Sequence, residues 1–193
     1  MSHPRQRDDS FISAAGPAVD LRYDRISIVL HWITAALVPL LWGIAHMIDA
    51  VPKGESRIAV RSLHIMLGAM LGLVLLVRLT WRIGWGRWLP VPQPSFMNNV
   101  AKLLHWGLYV MIAGTVSLGI TNAWVRGDTV IGLFTIPSLA PGDKALKDLI
   151  ENLHGTFANV LLVAAGLHAL AALVHHFVLH DNVLRRMLPR RAP

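Results

Sequence analysis

The sequence predicts an all-α fold, an integral membrane four-helix bundle. Three observations carry this. Apolar residues fill 54% of the 193 positions and charged ones only 15%, whereas soluble domains carry about 25% charged residues. The apolar residues gather in four runs, each near the roughly 20 residues that a helix rising 1.5 Å per residue needs to cross a hydrocarbon core of about 30 Å. Tryptophans stand near the ends of those runs (Trp32, Trp81, Trp85, Trp88, Trp106 and Trp124), as an aromatic belt at the two membrane surfaces requires.

In chain order, residues 1–22 form a polar arm with Arg5, Arg7, Asp8 and Asp9 and no apolar stretch of their own. A cleaved leader is therefore not expected, and the first run serves as its own anchor. The membrane domain covers residues 23–182, with spans at about 26–48, 62–79, 100–121 and 153–179. Between the second and third spans, Pro90-Val-Pro92-Gln-Pro94 reads as an extended surface loop. The longest connection runs over residues 122–152. A basic tail, 183–193, closes the chain.

Four spans leave both termini on one side. That side holds twelve basic residues: Arg5, Arg7, Arg22, Arg25, Arg78, Arg82, Arg87, Lys102, Arg185, Arg186, Arg190 and Arg191. The other holds six: Lys53, Arg57, Arg61, Arg126, Lys144 and Lys147. Basic residues accumulate on the cytoplasmic face, so both termini are expected in the cytoplasm. The net charge of +7 is dispersed between apolar runs and forms no stripe, so nucleic acid is not an expected partner. With no cysteine, thiolate iron–sulfur clusters, cysteine zinc sites, thiolate catalysis and covalently attached c-type haem are excluded.

Ten histidines are many for so apolar a chain, and His31, His64, His105, His154, His168 and His175 fall inside spans. Polar side chains are costly in a bilayer, so a set of them points to a shared task. Depth organises the set. His168 follows His154 by 14 residues, within about 40° of whole turns and about 21 Å along the helix. His64 matches His154 in depth, and His31 matches His168. Two facing imidazoles at one depth suit a six-coordinate haem b, which needs no covalent link, and a bundle can stack two such cofactors across the membrane. Gly68, Gly72, Gly155 and Gly166 near these histidines either admit a flat ring or serve close helix packing.

Depth leaves choices open. His105 lies nearly level with His31 and competes with it for His168. His46 competes with His64. His175 and His176, near the cytoplasmic surface, are candidates to bind a quinone carbonyl or pass a proton. Arg25, Arg78 and Arg82 on the cytoplasmic side, and Arg61 and Arg126 on the other, are candidates to meet anionic haem propionates.

The motifs that carry these histidines resemble a known family. Tyr23-Asp-Arg-Ile-Ser-Ile-Val-Leu-His31-Trp32 is similar to the first helix of the bacterial cytochrome b561 family. So are Leu63-His64-Ile-Met-Leu-Gly68 and Arg78-Leu-Thr-Trp-Arg82. The closest likeness is at the end of the chain: Leu153-His154-Gly155, Gly166-Leu-His168-Ala, Ala172-Leu-Val-His175-His176, Asp181-Asn182 and Arg185-Arg-Met-Leu-Pro189-Arg-Arg. The likeness runs from about Tyr23 to Arg191 and is greatest to small stand-alone members with two haems that oxidise superoxide.

The resemblance implies a bacterial inner-membrane protein, a four-helix bundle enclosing two b-type haems. It implies His31 with His168 as axial ligands to the cytoplasmic haem iron, His64 with His154 as ligands to the periplasmic one, and His105 as a non-ligand. It implies electron transfer from superoxide at the periplasmic face to ubiquinone. For this the protein supplies a docking surface, a conducting pair and a quinone pocket. Six acidic residues (Asp49, Glu55, Asp128, Asp143, Asp148 and Glu151) balance the six basic ones on the periplasmic side, so steering of superoxide falls to a local patch of Arg57, Arg61 and Arg126.

Two other function classes fit parts of the pattern. One is a haem b electron-transfer subunit linking the quinone pool to a partner dehydrogenase or hydrogenase. The chain carries no added domain or fifth span, which leans toward a unit with no obligate protein partner beyond the lipid bilayer. The other is a histidine-lined proton or metal-ion carrier. Its relay or ligand carboxylates are missing from all four span interiors.

Overall fold

The computed structural model describes residues 22–87, 89, 96–131 and 133–189. Most of the polar arm, Trp88, the proline-rich loop at 90–94 and the end of the basic tail lie outside the described residues.

Four long helices form, each long and apolar enough to cross a membrane: α1 Arg25–Ala50, α2 Glu55–Gly84, α3 Phe96–Arg126 and α4 Lys144–Phe177. Each begins before its apolar run, because polar turns start the helix ahead of its greasy part; α1, α2 and α3 also run past theirs, whereas α4 ends at Phe177, two residues short of the expected 179. Side chains set two of the starts. Asp24 caps α1, accepting from the Ser27 N–H at 2.9 Å and the Ser27 hydroxyl at 2.7 Å. Asp143 caps α4 by accepting from the Leu146 N–H at 2.9 Å. At Val51 the backbone turns extended and α1 stops, as a residue before proline favours.

Helix α1 packs mainly on α2, and α3 mainly on α4; contacts of α2 with α3 and of α1 with α4 close the ring. Leu37, Val38, Leu41, Leu71, Leu75, Ile112 and Leu161 form the buried core. On α4, Leu161 lies between His154 and His168 in sequence, so the core is an apolar plug between two imidazole levels. Leucines such as Leu73 and Leu76 face outward, as lipid contact requires.

Both ends of the described chain meet at one end of the bundle, called here the terminal end. The Tyr23 N–H donates to the Arg186 carbonyl at 3.1 Å. The Trp32 indole donates to the Met187 carbonyl at 2.8 Å, beside a short 3-10 turn, Leu184–Met187. Asp24 also accepts from the Trp81 indole at 2.9 Å and the Arg87 N–H at 3.2 Å, tying the start of α1 to the end of α2. Burial raises the Asp24 carboxyl, but its four hydrogen bonds outweigh that and hold it at about 2.

The α3–α4 connection is more than a loop. Gly127, at φ +69°, reverses the chain after α3, and a Cβ there would stand 3.0 Å from Ser138 Cβ. Thr129–Val130 (β1) then pairs antiparallel with Phe134–Thr135 (β2). This hairpin packs on α2.

Candidate functional site

At the terminal end, three helices bring three imidazoles together. His31 on α1 and His168 on α4 have ring centroids 6.3 Å apart and planes at 80°. His105 on α3 lies 5.3 Å from His168 at 74°. Arg78 on α2 donates to His31 Nδ1 at 3.1 Å and stands 5.2 Å over the Tyr109 ring. Arg82 covers the Tyr23 ring at 5.2 Å.

At the opposite end, His64 on α2 faces His154 on α4, with centroids 6.1 Å apart and planes at 87°. His154 Nδ1 meets the buried Thr115 carbonyl at 3.0 Å. A carbonyl only accepts, so the proton sits on Nδ1 and Nε2 keeps its lone pair. His64 Nδ1 is buried and makes no hydrogen bond of ordinary geometry. Both rings line a cavity of about 450 Å³ to which all four helices contribute, with Val38, Gly68, Gly119 and Gly155 also in its wall. A Cβ built on Gly68 or Gly155 would meet nothing within 4 Å, so both glycines open onto free space. Gly72 differs: a Cβ there would meet a Val116 methyl at 3.0 Å, so it serves helix packing.

These dimensions fit an iron held between two imidazoles. Metal–imidazole bonds of about 2 Å, with about 1.1 Å from nitrogen to ring centre, put the two centroids roughly 6 Å apart. The His31–His168 and His64–His154 couples have that span; the His105–His168 contact is about an ångström shorter. Among the described residues no three His, Cys, Asp or Glu side chains converge on a metal-sized point.

Sequence reasoning missed Gly119 and Thr115. A Cβ on Gly119 would lie 3.0 Å from His154 Cε1, so this glycine makes room for the ring. Both residues act on α4 from α3, a relation that spacing within one helix does not reveal. His46, offered as a rival to His64, is instead tied to its own helix. Its Nδ1 meets the Trp42 carbonyl at 2.8 Å and its ring stacks on Trp42 at 3.9 Å. The Trp42 indole in turn donates to Asn159 at 2.8 Å.

The cavity mouth carries charge. Arg61 and Arg126 flank Asp128 at 3.4 and 3.6 Å, and Arg126 also pairs with Glu151 at 2.6 Å. Burial pushes the Asp128 carboxyl above its ordinary value despite the two guanidiniums beside it. Arg57 stands apart from this group. It donates to the Val51 carbonyl at 2.8 Å, satisfying the C-terminus of α1. At the terminal end, His175 Nδ1 bonds Asp181 at 2.5 Å, and Asp181 also accepts from the Val183 N–H at 2.9 Å. Burial raises the Asp181 carboxyl, but these two bonds, with the nearby charge of His175 and Arg186, outweigh it, so the net shift is downward. The neighbouring His176 packs edge-on against Phe177.

A sequence profile described as prokaryotic cytochrome b561 matches residues 22–190. The chain belongs to that family. Among curated relatives, cytochrome b561 homolog 1 of Escherichia coli K12 is 32% identical over 174 residues, covering 88% of this chain and 98% of the relative. A probable superoxide oxidase, CybB, of Yersinia pestis is 29% identical over 172 residues, covering 88% and 97%. Cytochrome b562 of Cereibacter sphaeroides is 30% identical over 174 residues, covering 88% and 96%. Membership of the cytochrome b561 family makes the chain a multi-pass membrane electron-transfer protein that uses b-type haem.

Proposed function

We propose that this cytochrome b561 is a superoxide oxidase with two b haems, one at each end of the bundle. It takes one electron from each of two superoxide anions, releasing two dioxygen molecules. It delivers both electrons, with two protons, to one ubiquinone. The observation that supports this reading is the pair of imidazole couples, 6.3 and 6.1 Å across, on either side of an apolar plug in one membrane bundle. The name of the Yersinia pestis relative favours the same donor.

In this reading His31 and His168 hold one haem and His64 and His154 the other, with His105 not a ligand. Held between two imidazoles, a b haem accepts and releases single electrons. The chain's own residues do the rest. The Thr115 carbonyl fixes the His154 tautomer. Gly68 and Gly155 leave the cavity wall open for a flat ring. Arg61 and Arg126, with Arg57 on the same end, draw the anion toward the cavity mouth. His175, oriented by Asp181, presents its other nitrogen to carry a proton to the reduced quinone, with His176 beside it at the same end. The basic residues gathered at the terminal end support a reading in which that end faces the cytoplasm and the cavity mouth the periplasm of an inner membrane.

The test is a visible spectrum of the purified chain mixed with a superoxide source. Haem reduction that superoxide dismutase abolishes, with about one ubiquinol formed per two superoxides, is expected. Colourless protein, five-coordinate iron, or reduction indifferent to the dismutase would overturn the reading.

A further inference from the structure

Residues 129–142, Thr-Val-Ile-Gly-Leu-Phe-Thr-Ile-Pro-Ser-Leu-Ala-Pro-Gly, carry no charge although they lie between two membrane spans. The structure turns part of this stretch into the β1–β2 hairpin and leaves its apolar side chains uncovered. Leu133 is 89% exposed, Leu139 68%, Phe134 62% and Ile131 57%. Connections in water do not keep four neighbouring large apolar groups bare without a partner.

Two hydrogen-bonded contacts fix the depth of the hairpin. Ser62, buried, donates to the Thr129 carbonyl at 3.2 Å and accepts from the Ile131 N–H at 2.9 Å. Ser62 lies two turns inside α2, just past Arg57 and Arg61, where the helix becomes apolar. On the other side, the Leu139 N–H donates to the Trp124 carbonyl at 3.0 Å and the Ser138 hydroxyl to the Val125 carbonyl at 3.0 Å. Trp124 is itself exposed near the end of its span, the position of an indole at the membrane surface. The connection therefore folds back beside the helix ends, level with the bilayer boundary, and does not stand above it.

Ile131 adds a separate observation. Its φ is +57°, a left-handed conformation that β-branched residues rarely adopt. The Ser62 bond holds its backbone there while its side chain remains largely uncovered.

We propose that the α3–α4 hairpin is an interfacial lipid anchor. Ile131, Leu133, Phe134 and Leu139 seat at the headgroup–acyl boundary, continuous with the apolar outer surface of the helices. Apolar side chains buried to that depth, with basic groups above them at phosphate level, make the usual pattern of interfacial binding. Arg61, Arg126 and Lys147 supply the basic groups. The same seating holds the connection against the cavity mouth, because Asp128, bonded to Arg61 and Arg126, lies in that mouth and next to β1.

The chain has no cysteine, so single-cysteine variants take one spin label each. Leu133→Cys and, separately, Leu139→Cys are labelled in the full chain in phosphatidylcholine vesicles. Collision with dissolved oxygen and with a water-soluble nickel chelate is then measured by electron paramagnetic resonance. Lys144→Cys is the reference for water and the outward-facing Leu76→Cys the reference for lipid. The expected oxygen-to-nickel ratio at both hairpin positions is several times that at Lys144 and approaches that at Leu76. A ratio equal to that at Lys144 would place the hairpin in water and overturn the proposal. So would spin–spin broadening between labels on two chains, which would make the patch an interface between copies.

Discussion

Substituting Gly119 by alanine tests the opposite-end site most directly. The new Cβ would sit 3.0 Å from His154 Cε1 and 3.5 Å from Nδ1. Carbon atoms rest about 3.5–4.0 Å apart, so the imidazole must retreat by about 0.5–1 Å. The Thr115 carbonyl that holds Nδ1 at 3.0 Å is on the same helix as Gly119. Retreat from that helix stretches the hydrogen bond to about 3.5–4 Å, beyond useful length. Losing one such bond costs about 1–1.5 kcal/mol, and losing the partner that orients a metal-bound imidazole typically costs about 10–100-fold in affinity. On the proposed two-haem reading, haem at the His64–His154 site should therefore dissociate at least about tenfold faster, and the haem-to-protein ratio after purification should fall from two toward one. Gly72→Ala is the control. Its Cβ would also meet an atom at 3.0 Å, but that atom is a Val116 methyl and not a site imidazole, so the cost falls on the α2–α3 packing and the haem content should stay as in wild type. Gly119→Ala protein that keeps two haems at the wild-type dissociation rate would refute the argument.

Further expectations concern the other sites. His31→Ala and His168→Ala should each remove one haem and spare the other, whereas His105→Ala should retain both; quantifying haem as its pyridine complex distinguishes these outcomes, and a single haem in the His105 variant would make that residue a ligand. Arg61→Gln with Arg126→Gln should slow superoxide-driven haem reduction several-fold at low salt and flatten its dependence on ionic strength, with reduction by a neutral reagent unchanged. Asp24→Ala should lower stability by about 1 kcal/mol at neutral pH, after allowing for solvent screening. The Asp24 carboxyl is depressed to about 2 from 3.8, so its contribution is complete above pH 3.8 and fades as pH falls toward 2; thermal unfolding of variant and wild type should converge there. Asp181→Asn should slow reoxidation of reduced haem by ubiquinone and shift its pH profile, while leaving superoxide-driven reduction intact.

The helices were legible because lipid demands long apolar runs, and runs are visible one residue at a time. Their ends were less so: Glu55 to Arg61 and Lys144 to Asn152 are polar yet helical, and hydropathy reports where the bilayer is, not where the hydrogen-bonded ladder stops. The hairpin is not legible in the sequence, since strands of two residues leave no alternating pattern. In the site, depth along each helix brought His31 level with His168 and His64 level with His154. It left His105 and His46 open, because depth says nothing of which way a ring turns. Trp42 settles the orientation of His46, and no count along α1 announces that stacking. Gly119 and Thr115 escaped for a related reason: their effect on His154 exists only once α3 lies against α4.

The clasp between Trp32 and Met187 has a bearing on biosynthesis. Its donor and acceptor are 155 positions apart, and a ribosome adding about 5–20 residues per second leaves roughly 8–30 s between them. Throughout that interval the first helix waits in the membrane with its indole unlatched. Closure of the terminal end is thus a late event, after α1 has entered the bilayer, and until Met187 arrives the start of α1 is held there by the Asp24 tie to α2.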